Sequence, residues 1–340
     1  MTSADVAGIM RANMSAPEPT SPTTTPPQAN IGTAIPAQAR PGNYFVRHWR
    51  GELSLPVSYW VNGTLLTLVL AGALTATQNS DLAHSLGRQP TGLVILSSFL
   101  LTIGCAIWQG VGIWRSAEKH PSRGGSSGWA TAAKVMVVLG VIRLGAYTVP
   151  RVPVIADGLF LALGYDRVPP LQLHVISHGS QVEVSGGIPY GSTDALKSVL
   201  DATPGIWLVR LNSLGGRLAE ADQLGQLISA RGLATYTTQK CVSACVLAFM
   251  GGKERYLAPN GKLGFHEASL PGLAGRRGDK VATERFQRLL LQRGLPSSFV
   301  DRALAPPATS VWYPSSQELF EAHVITRVVG EAELSGKTAP

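Results

Sequence analysis

The sequence predicts an α/β protein in which N-terminal transmembrane helices precede a domain with a parallel sheet and packed helices. Apolar runs long enough to cross a bilayer lie before residue 150, and strand-like and helix-like segments alternate after residue 170. Hydrophobic residues make up 45% of the 340 residues and charged residues only 15%. This composition is too apolar for an ordinary soluble enzyme, and the alternation implies helices packed on a parallel sheet.

Residues 1–42 form the first segment, a tail rich in Pro and Thr with no apolar period. We expect this tail to be disordered, because such a composition cannot bury a core. No hydrophobic core of a secretory signal follows Met1, so a signal peptide is not expected. The net charge is +8. The basic residues flank apolar runs and do not cluster with aromatics on one face, which favours a lipid bilayer over nucleic acid as partner.

A membrane domain is predicted over residues 43–165, with about three transmembrane helices at 57–78, 91–114 and 129–149. Each run approaches or exceeds the ~20 residues that cross a bilayer. The third run is the least apolar, because it contains Lys134 and Arg143. The stretch 152–164 is short and carries Asp157, so we interpret it as an interfacial helix.

The orientation follows from the loops between the predicted spans. Arginines precede the first span, and Arg115, Lys119 and Arg123 lie between the second and third. Positive loops stay cytoplasmic. Three spans therefore place the N-terminus in the cytoplasm and everything after about residue 150 outside it, whereas two or four spans would reverse this.

Two cysteines, Cys241 and Cys245, surround a serine in Cys-Val-Ser-Ala-Cys. Their spacing permits a disulfide in an oxidising compartment. Two buried thiols or half of a metal site are the alternatives. No further Cys or His pair at ligand spacing completes a zinc site, so we favour the disulfide and expect no metal.

The segment 166–335 is predicted to be a separate α/β domain. An apolar strand leads into Asn-Ser-Leu-Gly-Gly, which ends at Gly216, and Gly-Phe-His ends at His266. The apolar run from Val242 to Met250 is predicted to be one helix, with Ser243 at its start. A nucleophile, a base and free backbone amides are what acyl transfer requires.

These motifs, with a closing Pro-x-x-x-Glu-Leu at Pro314, resemble the Clp peptidase/crotonase superfamily. The most similar members are membrane-anchored, extracytoplasmic Clp-like predicted serine proteases of bacteria. The resemblance covers roughly residues 171–329. It implies a ClpP/crotonase-like domain and a location in the bacterial inner membrane, with the domain in the periplasm. It also implies a homo-oligomer, since Clp-type domains commonly form rings, and a tether with three spans would limit ring formation.

The resemblance also implies residue roles. Ser243 matches the nucleophile and His266 the base. The backbone N–H of Ala244 and that of Gly215 or Gly216 would form the oxyanion hole. Glycine is needed there because a Cβ would obstruct the approach of the substrate carbonyl.

The third catalytic residue departs from the family pattern. The family supplies an Asp shortly before the closing segment, but Pro307–Pro314 contains no carboxylate, and Ser310 or Thr309 occupies roughly that place. A hydroxyl can fix the tautomer of the histidine but cannot stabilise the imidazolium by charge. We therefore expect a slow, membrane-anchored serine peptidase that acts on extracytoplasmic peptides or proteins by a Ser–His mechanism. The alternative is a catalytically weak or inactive peptide-binding or assembly module. No cofactor is expected, and the sequence has no G-x-x-x-x-G-K-[ST] nucleotide motif.

Overall fold

The computed structural model describes residues 42–78, 87–269 and 279–335, so almost all of the predicted tail lies outside the described residues. Helix α1 (Tyr44–Trp49) precedes a π-helical segment (Val57–Leu65) that continues as α2 (Leu66–Gln78). Two long helices follow, α3 (Arg88–Lys119) and α4 (Ser127–Thr148), and a 3-10 turn (Val149–Arg151) joins α4 to α5 (Val152–Ala162).

Three helical stretches are long and apolar enough to cross a membrane: Val57–Ala76, Arg88–Lys119 and Ser127–Ala162. Their number and places agree with the predicted spans. The third stretch runs through α4 and α5. It therefore includes most of residues 152–164, for which an interfacial position stays a prediction, as does the orientation.

Helix α5 packs closely against the first turns of α3. A Cβ added to Gly92 would lie 2.3 Å from the backbone nitrogen of Ala162, and one added to Gly158 would lie 2.7 Å from Ile95. Small residues allow two helix backbones to approach in this way. Arg88 also donates to the carbonyl of Gly164 at 2.6 Å, so the end of α5 is joined to the start of α3.

The remaining elements alternate between strands and helices. The strands are β1 (Leu171–Ile176), β2 (Gln181–Ile188), β3 (Leu208–Gly216), β4 (Ala234–Thr237), β5 (Lys240–Val242), β6 (Arg255–Leu257), β7 (Lys262–Gly264) and β8 (Arg327–Val328). The helices are α6 (Ser192–Ala202), α7 (Leu218–Ala230), α8 (Cys245–Phe249), α9 (Lys280–Gln292), α10 (Ser297–Leu304), α11 (Ser316–Glu321) and α12 (Glu331–Ser335).

The sheet runs in the order β1-β2-β3-β4-β6-β8, and among the strand pairs of the described residues only β1–β2 is antiparallel. This confirms the predicted α/β class with a mainly parallel sheet. Its core is apolar on both sides of the strands: consecutive residues of β3 are buried in different clusters, Val209 with Leu224 and Phe249, and Leu208 with Tyr236. Continuous burial of this kind is typical of parallel strands covered by helices.

Strand β3 divides the sheet into two branches. Its first half pairs with β4, whereas Ser213 in its second half pairs with Cys241 of β5, and β5 pairs in turn with β7. The Asn-Ser-Leu-Gly-Gly, Cys-Val-Ser and Gly-Phe-His segments therefore lie side by side at one edge. The fold brings together three motifs that are spread over residues 212–266 of the chain.

The predicted helix from Val242 to Met250 is wrong at its start. Strand β5 extends to Val242, a turn follows, and helix α8 begins only at Cys245. A short apolar run cannot be assigned to strand or helix by periodicity alone. Here the residues up to Val242 form a strand because β5 pairs with β3 and β7.

Candidate active site

Ser243 lies on the turn between β5 and α8 with a backbone φ of 57°. Non-glycine residues rarely adopt this left-handed conformation, which costs on the order of 1–3 kcal/mol. Two hydrogen bonds hold it: Ser243 N–H donates to the Gly264 carbonyl at 2.9 Å, and Val246 N–H donates to the Ser243 carbonyl at 3.0 Å. The turn leaves the Ser243 side chain half-buried at the wall of a groove.

A disulfide closes this turn. Cys241 and Cys245 are joined, with their Cα atoms 5.3 Å apart, and both residues are fully buried. The disulfide that the sequence favours over two thiols or half of a metal site is therefore present. It links the last strand residues before Ser243 to the first helix residue after it.

The two glycines of the upstream motif lie against this turn and against β2. Gly215 has a φ of 97°, and a Cβ there would be 2.7 Å from the carbonyl oxygen of Val242 and 3.1 Å from the nitrogen of Ala244. A Cβ on Gly216 would lie 2.4 Å from the carbonyl oxygen of Ile188. Only glycine fits at either position, because the neighbours are backbone atoms.

The amide groups of the predicted oxyanion hole differ in their partners. Gly215 N–H donates to the hydroxyl of Ser213 at 3.1 Å, and that hydroxyl donates to the Gly186 carbonyl at 2.7 Å. In the described part of the chain, Ala244 N–H donates no hydrogen bond. Ala244 is fully buried, and the oxyanion-hole roles of Ala244, Gly215 and Gly216 all stay predictions.

His266 follows β7 and is held by a short antiparallel bridge. Phe265 and Trp312 exchange two backbone hydrogen bonds of 2.9 Å, and the Phe265 ring is fully buried. The Nδ1 atom of His266 lies 2.6 Å from the carbonyl oxygen of Glu267. Because a carbonyl can only accept, this contact fits a proton on Nδ1 and leaves Nε2 as an acceptor.

The structure does not bring the Ser310 hydroxyl to this ring. Ser310 is exposed and its N–H donates to the Pro307 carbonyl at 2.8 Å. Thr309 is also exposed. The carboxylate of Glu267 instead accepts from the N–H of Ala308 at 3.0 Å. The Nδ1 of His266 thus has a backbone carbonyl as its partner, and a third member at Ser310 stays a prediction.

Ser243 and His266 line one groove of about 1090 Å³, together with Gly215 and Gly216. In the described residues the two side chains do not hydrogen-bond each other. Catalytic hydrogen bonds are often long without substrate and tighten only in the complex. Three cationic side chains line the groove, and among its described lining residues there is no Asp or Glu: the cations are Arg167, Lys240 and Lys262.

Sequence reasoning missed one residue beside the site, Arg217. It follows Gly216 directly and forms buried ion pairs of 2.8 Å with Asp157 and with Asp166. The available signal was Asp157 itself, because a carboxylate inside an apolar stretch requires a partner. Over residues 42–78, 87–269 and 279–335, no group of three or more His, Cys, Asp or Glu could hold a metal ion.

Comparison with known protein families and with curated proteins finds no match to this chain. Among solved structures, the chain is similar to a mutant of ClpP1 from Listeria monocytogenes, with 14% sequence identity. The alignment covers 47% of this chain and 96% of that chain, with a TM-score of 0.38. A similarity of this size carries no argument about function.

Proposed function

We propose that this chain is a membrane-tethered serine peptidase in which Ser243 is the nucleophile and His266 the base. The observation that carries the proposal is the strained turn at Ser243, which opens onto the same groove as His266. Backbone strain of this kind persists only where the surroundings enforce it, and it is concentrated at active sites.

In the proposed reaction, the Nε2 of His266 accepts the hydroxyl proton as Ser243 Oγ attacks the carbonyl carbon of a peptide bond. The negative charge that develops on the carbonyl oxygen is met by the N–H of Ala244 and by an amide of the glycine pair. The proton on Nε2 then passes to the leaving amine, and water hydrolyses the acyl-enzyme. The carbonyl of Glu267 fixes the ring tautomer but supplies no full negative charge, so we expect slow turnover.

Peptides or proteins outside the cytoplasm are the proposed substrates. The helical stretches long enough to span a membrane support the tether. The disulfide beside Ser243, a bond that is rare in reducing compartments, supports a location outside the cytoplasm. A topology reporter fused after Pro340 tests the orientation, and activity of a cytoplasmic reporter would overturn it.

A fluorophosphonate probe tests the nucleophile. We expect labelling of the full chain at Ser243, no labelling of Ser243→Ala, and strongly reduced labelling of His266→Ala. Ser269→Ala is the matched control, since Ser269 also lines the groove and its loss should leave labelling unchanged. A folded wild type that is not labelled would refute the peptidase.

The second candidate function is a peptide-binding module with weak or no catalysis. One observation favours it, namely that Nδ1 of His266 faces a backbone carbonyl where triad enzymes place a carboxylate. Under this function the unlabelled wild type would still bind peptides in the groove. Fluorescence anisotropy with labelled peptides, repeated on Gly215→Ala, would detect that binding.

A further inference from the structure

We propose that Arg217 is a positioning residue for the glycine loop of the active site, held in place by Asp157 and Asp166. This inference rests on the proposed function, because it assigns Arg217 to the placement of the oxyanion-hole amides. Its support is a buried cluster that joins the last apolar helix to the residue directly after Gly216.

The guanidinium of Arg217 contacts both carboxylates with paired hydrogen bonds. Its Nη1 and Nη2 donate to Asp157 at 2.8 and 3.1 Å. Its Nη2 and Nε donate to Asp166 at 2.8 and 3.3 Å. The three side chains are only 5–9% exposed. This planar, two-sided geometry suits arginine and cannot be reproduced by lysine.

The charged state of the cluster follows from these contacts. Burial alone would lower the pKa of Arg217, but hydrogen bonds and charges from Asp157 and Asp166 raise it above its ordinary value. The ring of Tyr190 lies 5.1 Å from the guanidinium. Tyr190 N–H also donates to Asp166 at 2.9 Å, so β2 and its following turn are tied to the same cluster.

The cluster reaches the glycine loop through the main chain. Arg217 N–H donates to the Ile188 carbonyl at 2.8 Å, and its own carbonyl accepts from Ala221 at 3.0 Å in the first turn of α7. Gly216 is therefore fixed between β2 and the start of α7. Glycine imposes no side-chain restraint of its own. Arg217 is therefore the first residue after the glycine pair whose side chain can fix the direction of the Gly215 and Gly216 amides.

The two acids come from outside the strands that form the site. Asp157 lies on α5, in the third stretch long enough to span a membrane, and Asp166 lies in the loop after that helix. Arg217 lies 60 residues after Asp157 in the chain. The apolar helix thus contributes directly to the placement of the groove wall, beyond tethering the domain.

Three variants of the full-length protein test this inference: Arg217→Gln, Arg217→Lys and Asp157→Asn. A displaced oxyanion donor lowers kcat by roughly 10²-fold or more. We expect the labelling rate at Ser243 to fall about 10- to 100-fold in each variant. With a peptide substrate, kcat should fall while KM changes little, since the lost interaction acts in the transition state. Asp157→Glu should restore part of the rate.

Asp222→Asn is the matched control, because Asp222 lies on α7, the helix that follows Arg217, and pairs with a partly buried arginine, Arg293, at 2.6 Å. It should leave the labelling rate near that of the wild type. If the labelling rates of the Arg217 and Asp157 variants fall no further than that of Asp222→Asn, Arg217 has no positioning role.

Hydrogen exchange supplies a readout that does not depend on activity. Amide exchange of the segment Asn212–Arg217 should become faster in Arg217→Gln and Asp157→Asn than in Asp222→Asn. Unchanged exchange would overturn the inference even if labelling falls. If the wild type is not labelled but exchange responds as expected, the peptidase proposal fails while the placement of the loop by Arg217 stands.

Discussion

The backbone N–H of Ser243 donates a 2.9 Å hydrogen bond to the carbonyl oxygen of Gly264. Ser243 leaves strand β5, and Gly264 ends strand β7 two residues before His266. The hydroxyl and the imidazole are therefore placed relative to each other by the main chain of two paired strands. A change that displaces either strand should alter the reactivity of Ser243 without touching its side chain.

Gly215→Ala should abolish labelling at Ser243. The new Cβ would lie 2.7 Å from the Val242 carbonyl oxygen, and backbone atoms cannot move away cheaply. A non-glycine residue at this φ also costs about 1–3 kcal/mol. The labelling rate and the free energy of unfolding are both measured.

The variant Gly294→Ala separates the effect of backbone strain at a positive φ from the effect of contact with the turn at Ser243. Gly294 has a similar φ of 87°, but nothing lies within 4 Å of its added Cβ. We expect a comparable backbone cost of about 1–3 kcal/mol and a nearly unchanged labelling rate. Equal losses of labelling in both variants would show that contact with the turn at Ser243 is unimportant.

Ser310→Ala decides between a hydroxyl and a carbonyl as the partner of His266. Because Nδ1 already contacts the Glu267 carbonyl at 2.6 Å, we expect the labelling rate to stay within about two-fold of the wild type, well short of the losses seen when a triad partner is removed. Thr309→Ala is the neighbouring control. A fall of about 100-fold in Ser310→Ala alone would establish Ser310 as the third member.

Local pattern predicts much of this fold. Strand-like and helix-like segments are predicted to alternate after residue 170, and they do: the alternating stretch Leu171–Ile176 forms β1, and Leu218–Ala230, with its helical spacing, forms α7. The candidate spans also follow from composition, since length and apolarity alone define them. These features depend on residues that are close together in the chain, so one sequence is enough to predict them.

Long-range pairing accounts for what the sequence could not predict. Whether Val242 belongs to a strand depends on its partners in β7, and the contact between Arg217 and Asp157 joins residues 60 positions apart. The partner of His266 Nδ1 is a backbone atom, which no residue type reveals. The sequence therefore predicts residues that line one groove, Gly215, Gly216, Ser243 and His266, but not the contacts that support them.

The disulfide should stabilise the turn at Ser243. Closing so short a loop contributes about 2 kcal/mol in the chain-entropy account. Cys241→Ala with Cys245→Ala should lower the free energy of unfolding by about that amount and slow labelling at Ser243. Urea unfolding of the full chain measures the first effect.

Thiol alkylation of the denatured protein checks the bond itself. Without reductant only Cys105 should react, because it is the free cysteine in the described part of the chain. With reductant all three cysteines should react. Three reactive thiols without reductant, in protein isolated under oxidising conditions, would contradict the disulfide.

Acid should weaken the cluster around Arg217 through Asp166. Burial alone would raise the pKa of Asp166, but hydrogen bonds from Arg217 and from the N–H groups of Tyr190 and Val168 bring it below its ordinary value of 3.8. A carboxyl with a lowered folded pKa stabilises the protein at pH values above about 3.8. That contribution is lost as pH falls through the lower folded value. We therefore expect the free energy of unfolding to decrease at pH values below about 4, and this decrease to be smaller in Asp166→Asn.

Salt separates the buried cluster from exposed ion pairs. Because buried pairs are screened less than exposed ones, 0.5 M salt (roughly a 4 Å Debye length) should leave the difference between wild type and Asp166→Asn largely intact. In Asp201→Asn, which breaks exposed ion pairs with Lys197 and Arg231, any such difference should vanish at that salt concentration, and the same loss in Asp166→Asn would show that its carboxylate is not held in the buried cluster.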